Sequence, residues 1–183
     1  PVMTSATFNA RVCGAVVFKC ENFQRMGAFK IRGACNAILQ LTEDERAKGV
    51  ITHSSGNFAA ALALASSLLD TKATIIMPSD ASGIKKLAVL EYGAHVIECK
   101  PGLENREKAM IAQQLKSGAT FIHPSNDMRV ILGNSGAIME MAKEVDQLDV
   151  VIAPVGGGGL LAGTAFADSA AAKKWIDNEF QPS

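Results

Sequence analysis

The sequence lacks a net charge. Its 183 residues include 18 Lys and Arg and 18 Asp and Glu, so the formal charge at pH 7 is zero. Without an excess of either sign, there is no long-range field to attract nucleic acid or an anionic membrane surface. With 48% hydrophobic and 20% charged residues, the chain can still bury the core of one large domain or two small ones. We therefore expect a small-molecule partner, and neither a nucleic acid nor a membrane.

Cysteine motifs and long apolar runs are also missing. The four cysteines form no CxxC pair and no metal-ligand spacing, and a chain of this length does not need disulfides, so we expect a reducing, cytoplasmic location. The N-terminus has no basic segment followed by an apolar run, and no apolar stretch is long enough to span a bilayer. Because the chain begins with Pro1-Val2, we expect it to be part of a longer protein.

Short apolar runs alternate with segments of helical composition, which is typical of parallel βαβ units. The predicted strands are residues 16–20, 49–53, 73–77, 95–99, 120–123 and 150–154. The predicted helices, most of them rich in Ala, Leu, Lys and Glu, are residues 30–41, 57–69, 83–92, 104–116 and 130–145. The pattern predicts an open α/β fold, in which ligands bind beyond the carboxyl ends of the strands.

A run of four glycines, Gly156-Gly157-Gly158-Gly159, follows the last predicted strand and precedes a helical run that begins at Leu160. Residues without a Cβ let the backbone approach an anion closely, and a helix start directs free N–H groups toward it. The run is not a P-loop and lacks the spacing of a dinucleotide fingerprint. It predicts a phosphate site, with a flexible turn as the alternative.

Polar residues follow the second predicted strand in His53-Ser54-Ser55-Gly56-Asn57, which opens an alanine-rich helix. Ser54, Ser55 and Asn57 offer hydroxyl and amide groups, and backbone N–H groups at a helix start can bind a carboxylate. Taken alone, however, the segment favours an ordinary helix cap, since Ser and Asn are preferred at that position.

Lys30 lies among small and apolar neighbours in Gly27-Ala28-Phe29-Lys30-Ile31-Arg32-Gly33-Ala34. Desolvation disfavours the ammonium form, so a lysine in such surroundings can act as a neutral amine and form a Schiff base. Spacing alone favours an exposed surface lysine, because most lysines in proteins are exposed.

The order and separation of these segments resemble those of a known family. Glu21-Asn22-Phe23-Gln24 with the Lys30 segment, then residues 53–57, then Pro154-Val155 leading into the glycines and Leu160, are similar to the serine/threonine dehydratase and serine racemase family. The resemblance runs from Pro1 to about Ala167. It implies the tryptophan-synthase β type of fold and pyridoxal 5'-phosphate as the cofactor.

The resemblance also implies a role for each cofactor-binding residue. Lys30 would form the Schiff base with pyridoxal phosphate, and Phe29 would pack against its ring. Asn57 would hydrogen-bond the phenolic oxygen of the cofactor, and the glycines 156–159 would hold its phosphate. Nothing in the chain matches the Ser-Gly-Gly-Asn segment of the family, whose serine meets the pyridine nitrogen, or the acidic ligands of its divalent-cation site, so no metal is expected.

A second set of residues would bind and convert the amino acid. By the same resemblance, Ser54, Ser55, Gly56 and Asn57 would hold the substrate carboxylate, and Lys30 would remove the Cα proton on one face. Ser55 stands where racemising relatives have the serine that relays a proton on the opposite face. With the cofactor withdrawing electrons, loss of the β-hydroxyl would give a keto acid, and reprotonation would give racemisation.

Two segments depart from the family, and one matches it without a predicted role. Phe58 stands where relatives have His, and a phenyl ring cannot donate, accept or shuttle a proton. Gly133-Asn134-Ser135-Gly136 replaces Gly-Gln-Gly-Thr in what we interpret as a loop near the site. His123-Pro124-Ser125-Asn126 matches the loop between the lobes, and we interpret His123 and His95 as structural.

The sequence thus predicts a pyridoxal-phosphate-dependent ammonia-lyase that converts L-threonine, L-serine or a similar β-hydroxy amino acid to a 2-keto acid and ammonia. The alternatives are a serine racemase and a catalytically impaired protein that binds the cofactor or a protein partner. By resemblance, residues 1–47 and 126–183 would form a discontinuous, incomplete large lobe that binds the cofactor, and residues 48–125 a small lobe. A homodimer is the assembly considered, since an incomplete lobe would expose apolar surface.

Overall fold

The computed structural model describes residues 1–167. The strands are β1 (Val2–Thr4), β2 (Val17–Lys19), β3 (Val50–His53), β4 (Ala73–Pro78), β5 (His95–Cys99) and β6 (Thr120–Phe121). The α-helices are α1 (Ala6–Val12), α2 (Lys30–Leu39), α3 (Glu43–Lys48), α4 (Asn57–Leu68), α5 (Gly83–Glu91), α6 (Leu103–Ser117), α7 (Met128–Glu144) and α8 (Gly159–Ala167). Two short 3-10 helices, Glu21–Phe23 and Arg25–Gly27, connect β2 to α2.

Four strands form one parallel sheet in the order β5-β4-β3-β6. The connections between them contain α4, α5 and α6, so the predicted α/β fold with a parallel sheet and flanking helices is confirmed. All four strands come from residues 50–121, inside the segment predicted as the small lobe. The division into two lobes itself stays a prediction.

The central strands are buried because helices cover both faces of the sheet. All four residues of β3 are buried, as expected for a parallel strand with two neighbours. On one face, Val50 and Ile75 join the main core with side chains of α2 and α4. On the other face, Ile51 and Ile76 pack with Met110 of α6.

Two of the predicted strands do not belong to this sheet. Residues 16–20 contain β2, which pairs antiparallel with β1 at the start of the chain. Residues 150–154, predicted as a buried strand, form no strand, and Val150 is 75% and Ile152 91% exposed. The prediction was wrong because no strand among residues 1–167 lies beside this segment to pair with its backbone N–H and C=O groups.

Helices α2, α7 and α8 pack closely and support the residues that follow the sheet. A Cβ on Gly133 would lie 2.6 Å from the backbone oxygen of Arg32, and one on Gly163 would lie 2.6 Å from that of Ile131. The segment 133–136 is therefore an interior part of α7, as the helix predicted at 130–145 implies, and not the loop that we inferred by comparison with the family. Its small residues permit the backbones of neighbouring helices to approach each other.

Among residues 1–167, no helix has both the length and the apolar composition needed to cross a bilayer.

Candidate active site

A cavity of about 510 Å³ lies where the sheet meets α2 and the glycine run. It is lined by Lys30, His53, Ser54, Ser55, Gly56, Leu103, Arg106, His123, Pro124, Ser125 and Gly157. His53 ends β3, and His123 lies two residues after β6. The cavity is thus at the carboxyl ends of parallel strands, where α/β folds bind ligands.

Lys30 is the first residue of α2, and its side chain reaches the cavity. Its Nζ donates a hydrogen bond of 2.6 Å to the backbone oxygen of Pro124. The same nitrogen lies 5.2 Å from the ring centroid of Phe29 and 5.6 Å from that of Phe58. Burial lowers the pKa of Lys30, since the charged form loses hydration. Lys30 is therefore not the exposed surface lysine that its spacing alone favours.

Ser54, Ser55 and Gly56 line the cavity next to Lys30. The Ser54 hydroxyl accepts a hydrogen bond of 3.3 Å from the backbone N–H of Gly56, and no side chain caps α4, whose cap residue is Gly56. The ordinary helix cap expected from the sequence is therefore absent, and the N–H groups of Asn57 and Phe58 remain available to an anion, while that of Ala59 donates to the Gly56 backbone oxygen. Asn57 begins α4 but is exposed and is not among the lining residues.

The glycine run is held against the loop after β6. A Cβ on Gly157 would lie 2.5 Å from the Ser125 hydroxyl oxygen, and one on Gly159 would lie 2.9 Å from the Ser125 backbone oxygen. Gly158 has a φ of 82°, which favours glycine. The buried Asn134 donates a hydrogen bond of 3.3 Å to the backbone oxygen of Gly159, the first residue of α8. Of the four glycines, Gly157 lines the cavity, while Gly156, Gly158 and Gly159 shape the turn.

Sequence reasoning missed Arg106, which reaches the cavity from α6. Its Nε is buried and has no hydrogen-bond partner among the residues that the structure describes. A buried guanidinium nitrogen without a partner is costly, so a ligand that accepts a hydrogen bond there would be stabilised. No sequence pattern could have found Arg106, because it lies in an ordinary charged helix whose position is set by packing on the sheet.

Two histidines also line the cavity. His123, predicted to be structural, accepts hydrogen bonds at Nδ1 from the backbone N–H groups of Ser125 (3.1 Å) and Asn126 (2.8 Å). His53 stacks on Phe121 at a centroid distance of 5.5 Å, and desolvation, followed by the charges of His123 and Arg106, lowers its pKa. His53 at the end of β3 and His123 shortly after β6 could have been recognised from the sequence as site residues, because ligands bind at the carboxyl ends of parallel strands.

The cavity is electropositive and suits an anion. Lys30, Arg106 and two histidines line it, and no Asp or Glu is among the lining residues. Within residues 1–167, no group of His, Cys, Asp and Glu could hold a metal ion. A desolvated lysine amine beside a glycine loop without Cβ atoms fits pyridoxal phosphate, which offers an aldehyde to the amine and a phosphate to the loop.

The chain is similar to several known proteins. A family model described as pyridoxal-phosphate dependent enzyme matches residues 1–176. A serine racemase of Dictyostelium discoideum is 47% identical over 167 residues, which are 90% of this chain and 51% of that protein. The L-threo-3-hydroxyaspartate ammonia-lyase of Saccharomyces cerevisiae is 47% identical over 169 residues, which are 91% of this chain and 51% of that protein. The structure of maize serine racemase matches with a TM-score of 0.89 at 43% identity, over 95% of this chain and 52% of that chain.

The chain thus spans about half the length of the curated relatives it matches. The family resemblance deduced from the Lys30, Ser54 and glycine segments is confirmed, and so is the cofactor that the resemblance implies. The chain belongs to the pyridoxal-phosphate-dependent enzymes.

Proposed function

We propose that the protein is an ammonia-lyase that converts a β-hydroxy amino acid to a 2-keto acid and ammonia. One observation carries the proposal: the cavity that contains the Lys30 amine is also lined by Ser54, Ser55 and Gly56 and by Gly157. The residues that we propose for the nucleophilic amine, the carboxylate site and the phosphate site therefore line one space. Relatives with this activity on a β-hydroxy amino acid, such as the yeast hydroxyaspartate ammonia-lyase, support it.

The cofactor would be held between Lys30 and the glycine run. Lys30 would attach it through Nζ, Phe29 would contact its ring, Asn57 its phenolic oxygen, and the glycines 156–159 its phosphate. When bound, pyridoxal phosphate withdraws electrons from the substrate Cα and so makes its proton more acidic.

The residues of the chain would then position the amino acid and move its protons. Ser54, Ser55 and the uncapped start of α4 would hold the α-carboxylate, since hydroxyl and N–H groups can all donate to its oxygens. Lys30, whose pKa burial lowers, would accept the Cα proton more readily at neutral pH than an exposed lysine, which stays protonated. The β-hydroxyl would leave as water by taking up the proton removed from Cα, and the released enamine would be hydrolysed by water to the 2-keto acid and ammonia.

Arg106 favours a substrate with a second carboxylate. L-Serine and L-threonine carry no charge beyond the α-amino and α-carboxyl groups, whereas β-hydroxyaspartate adds a carboxylate that could accept from the guanidinium of Arg106, which lines the cavity. No acidic side chain of the cavity would repel that group. Among β-hydroxy amino acids we therefore propose β-hydroxyaspartate as the preferred substrate, with L-threonine and L-serine as weaker ones.

Racemisation of serine is the second candidate. Ser55 lines the same cavity as Lys30, and a hydroxyl there could return a proton to the face opposite the lysine. The serine racemase of Dictyostelium supports this candidate as strongly as the yeast enzyme supports the lyase. A protein that binds the cofactor without turnover is the third.

The test uses the full-length protein with pyridoxal phosphate. We expect a visible absorbance band of the bound cofactor that is lost in Lys30→Ala, and keto-acid release from threo-3-hydroxyaspartate that exceeds release from L-serine and L-threonine. Arg106→Gln should lower kcat/KM for hydroxyaspartate by about 10 to 100-fold, since a charge-assisted hydrogen bond contributes about 1.5–3 kcal/mol. The same variant should change kcat/KM for L-serine by less than about twofold relative to wild type.

The controls separate the three candidates. Arg11→Gln, on the exposed helix α1, should change neither value. D-serine without keto acid would identify the racemase, and a band without any product would identify a binding protein. An equal loss for hydroxyaspartate and L-serine in Arg106→Gln would contradict the second-carboxylate proposal.

A further inference from the structure

Phe58 is the second residue of α4 and follows the proposed cofactor ligand Asn57. It is 2% exposed and belongs to the main hydrophobic core, with its ring centroid 5.6 Å from Lys30 Nζ. In the resemblance described above, relatives have a histidine at this position. The site therefore contains a phenyl ring where a hydrogen-bonding ring is expected.

The environment of the Lys30 amine has one polar contact and two aromatic ones. Its Nζ donates to the Pro124 backbone oxygen at 2.6 Å, and it lies over the rings of Phe29 and Phe58, 5.2 and 5.6 Å from their centroids. The titratable and charged groups that share the cavity with it are His53 from β3, Arg106 from α6 and His123 from the loop after β6. All three are basic, and none accepts a hydrogen bond from Lys30 within the described part of the chain.

We propose that Phe58 is a positioning residue that, together with Phe29, confines the Lys30 amine against aromatic faces and leaves the Pro124 carbonyl as its hydrogen-bond partner. The proposal rests on the proposed role of Lys30 in holding the cofactor. Phe58 does not react, and it acts through the lysine.

Two opposing effects follow from this confinement. An aromatic face attracts an ammonium ion, which favours the protonated amine. Exclusion of water and of other acceptors favours the neutral amine, and burial accordingly lowers the pKa of Lys30. A histidine at position 58 would add an imidazole nitrogen that can accept from the ammonium and would shift the balance toward the charged form. Compared with a histidine, the phenyl ring therefore keeps more of the amine neutral, and the neutral amine is the form that attacks an aldehyde.

The test measures Lys30 directly in the full-length, cofactor-free protein. Competitive acetylation with acetic anhydride across a pH series, with the Lys30 peptide quantified by mass spectrometry, gives the midpoint of amine titration. Phe58→His should raise this midpoint by about one pH unit, since a hydrogen bond to the charged form favours it. Phe58→Leu keeps the wall apolar but removes the ring face, and it should lower the midpoint by about half a pH unit.

Matched controls separate positioning from stability. Leu62→Ala also removes buried core from α4, where Leu62 is fully buried, and should lower the melting temperature without moving the midpoint. Phe18→His, on the exposed pair of Phe18 with Phe8, should change neither quantity. If Phe58→His does not fold, Phe58→Leu and Phe29→Leu test the proposal instead. In each of them the midpoint of Lys30 titration should fall by about half a pH unit.

A midpoint equal to wild type in the folded Phe58 variants, or one that falls in Phe58→His, would overturn the proposal. The outcome is independent of the proposed activity. Absence of a cofactor band in the wild-type protein would contradict the proposed function, while the titration of Lys30 would still decide the role of Phe58.

Discussion

The parallel sheet and the segment 150–155 are similar in sequence and different in structure. Both contain short runs of Val and Ile, but Ile51 and Ile75 are 0% exposed whereas Ile152 is 91% exposed. The sheet strand β3 has β4 and β6 beside it, while no strand among residues 1–167 pairs with 150–155. An apolar run therefore predicts a strand only where neighbours supply hydrogen bonds and cover its side chains.

The largest predicted effect contrasts one isoleucine from each region. Ile75→Ala in β4 should lower the free energy of unfolding by about 3 kcal/mol, since it leaves a cavity in a packed core. Ile152→Ala should change it by less than about 0.5 kcal/mol, because this side chain is solvated. Urea unfolding monitored by circular dichroism measures both. A loss of about 2 kcal/mol or more for Ile152→Ala in the full-length protein would break the comparison.

A smaller effect on stability is expected from alanine substitutions at two glycines, one in a packed helix interface and one in open space. Gly133→Ala would place a Cβ 2.6 Å from the Arg32 backbone oxygen, where the helices α2 and α7 cannot separate freely. Overpacking of about 1–3 kcal/mol should outweigh the roughly 1 kcal/mol that alanine contributes to helix formation, for a net loss of about 1 kcal/mol. Gly156→Ala meets no atom within 4 Å and should leave the melting temperature unchanged. Equal melting temperatures for the two variants would show that α2 and α7 can adjust.

The smallest predicted effect concerns pH and lies outside the sheet. Arg32 and Lys19 bind Glu140 on α7, and hydrogen bonding by Arg32 lowers the pKa of Glu140 to about 2. A lowered carboxyl pKa stabilises the fold above its ordinary value near 4.5, and this contribution is lost as pH falls toward 2. Because the Glu140 side chain is 48% exposed, we expect about 1 kcal/mol or less.

The measurement for this prediction is urea unfolding of wild type and Glu140→Gln at pH 6 and pH 2.5. The difference between the two proteins should be present at pH 6 and shrink at pH 2.5. Glu104→Gln, in an exposed pair with Lys108, is the control and should have no effect at either pH. A difference that grows with acid would contradict the assignment.

Much of the sheet could be predicted from sequence because its strands and helices form consecutive βαβ units. The helix predicted at 57–69 is α4 (Asn57–Leu68), and the strand predicted at 95–99 is β5 (His95–Cys99). Residues 150–154 could not be predicted, since exposure depends on neighbours that are distant in sequence. The helix predicted at 130–145 is α7 (Met128–Glu144), and only the loop that we inferred at 133–136 from the family resemblance was wrong.

The candidate site was predictable where a motif follows a strand and unpredictable where packing brings in a distant side chain. Ser54, Ser55 and Lys30 were predicted from their motifs, and all three line the cavity. Arg106 reaches it because α6 crosses the sheet, which no local pattern encodes. The absence of a side-chain cap on α4 also depends on the geometry of Gly56 and not on residue preference.

The hydrogen bond from Lys30 to Pro124 has a consequence for the order of folding. It joins residues 94 positions apart, and the intervening chain contains all four strands of the parallel sheet. Closing so long a loop costs entropy that only the assembled sheet can offset. We therefore expect Lys30 to reach its position beside Pro124 only after the sheet has assembled, so that a partly folded chain could contain the helices that flank the sheet and still lack the site.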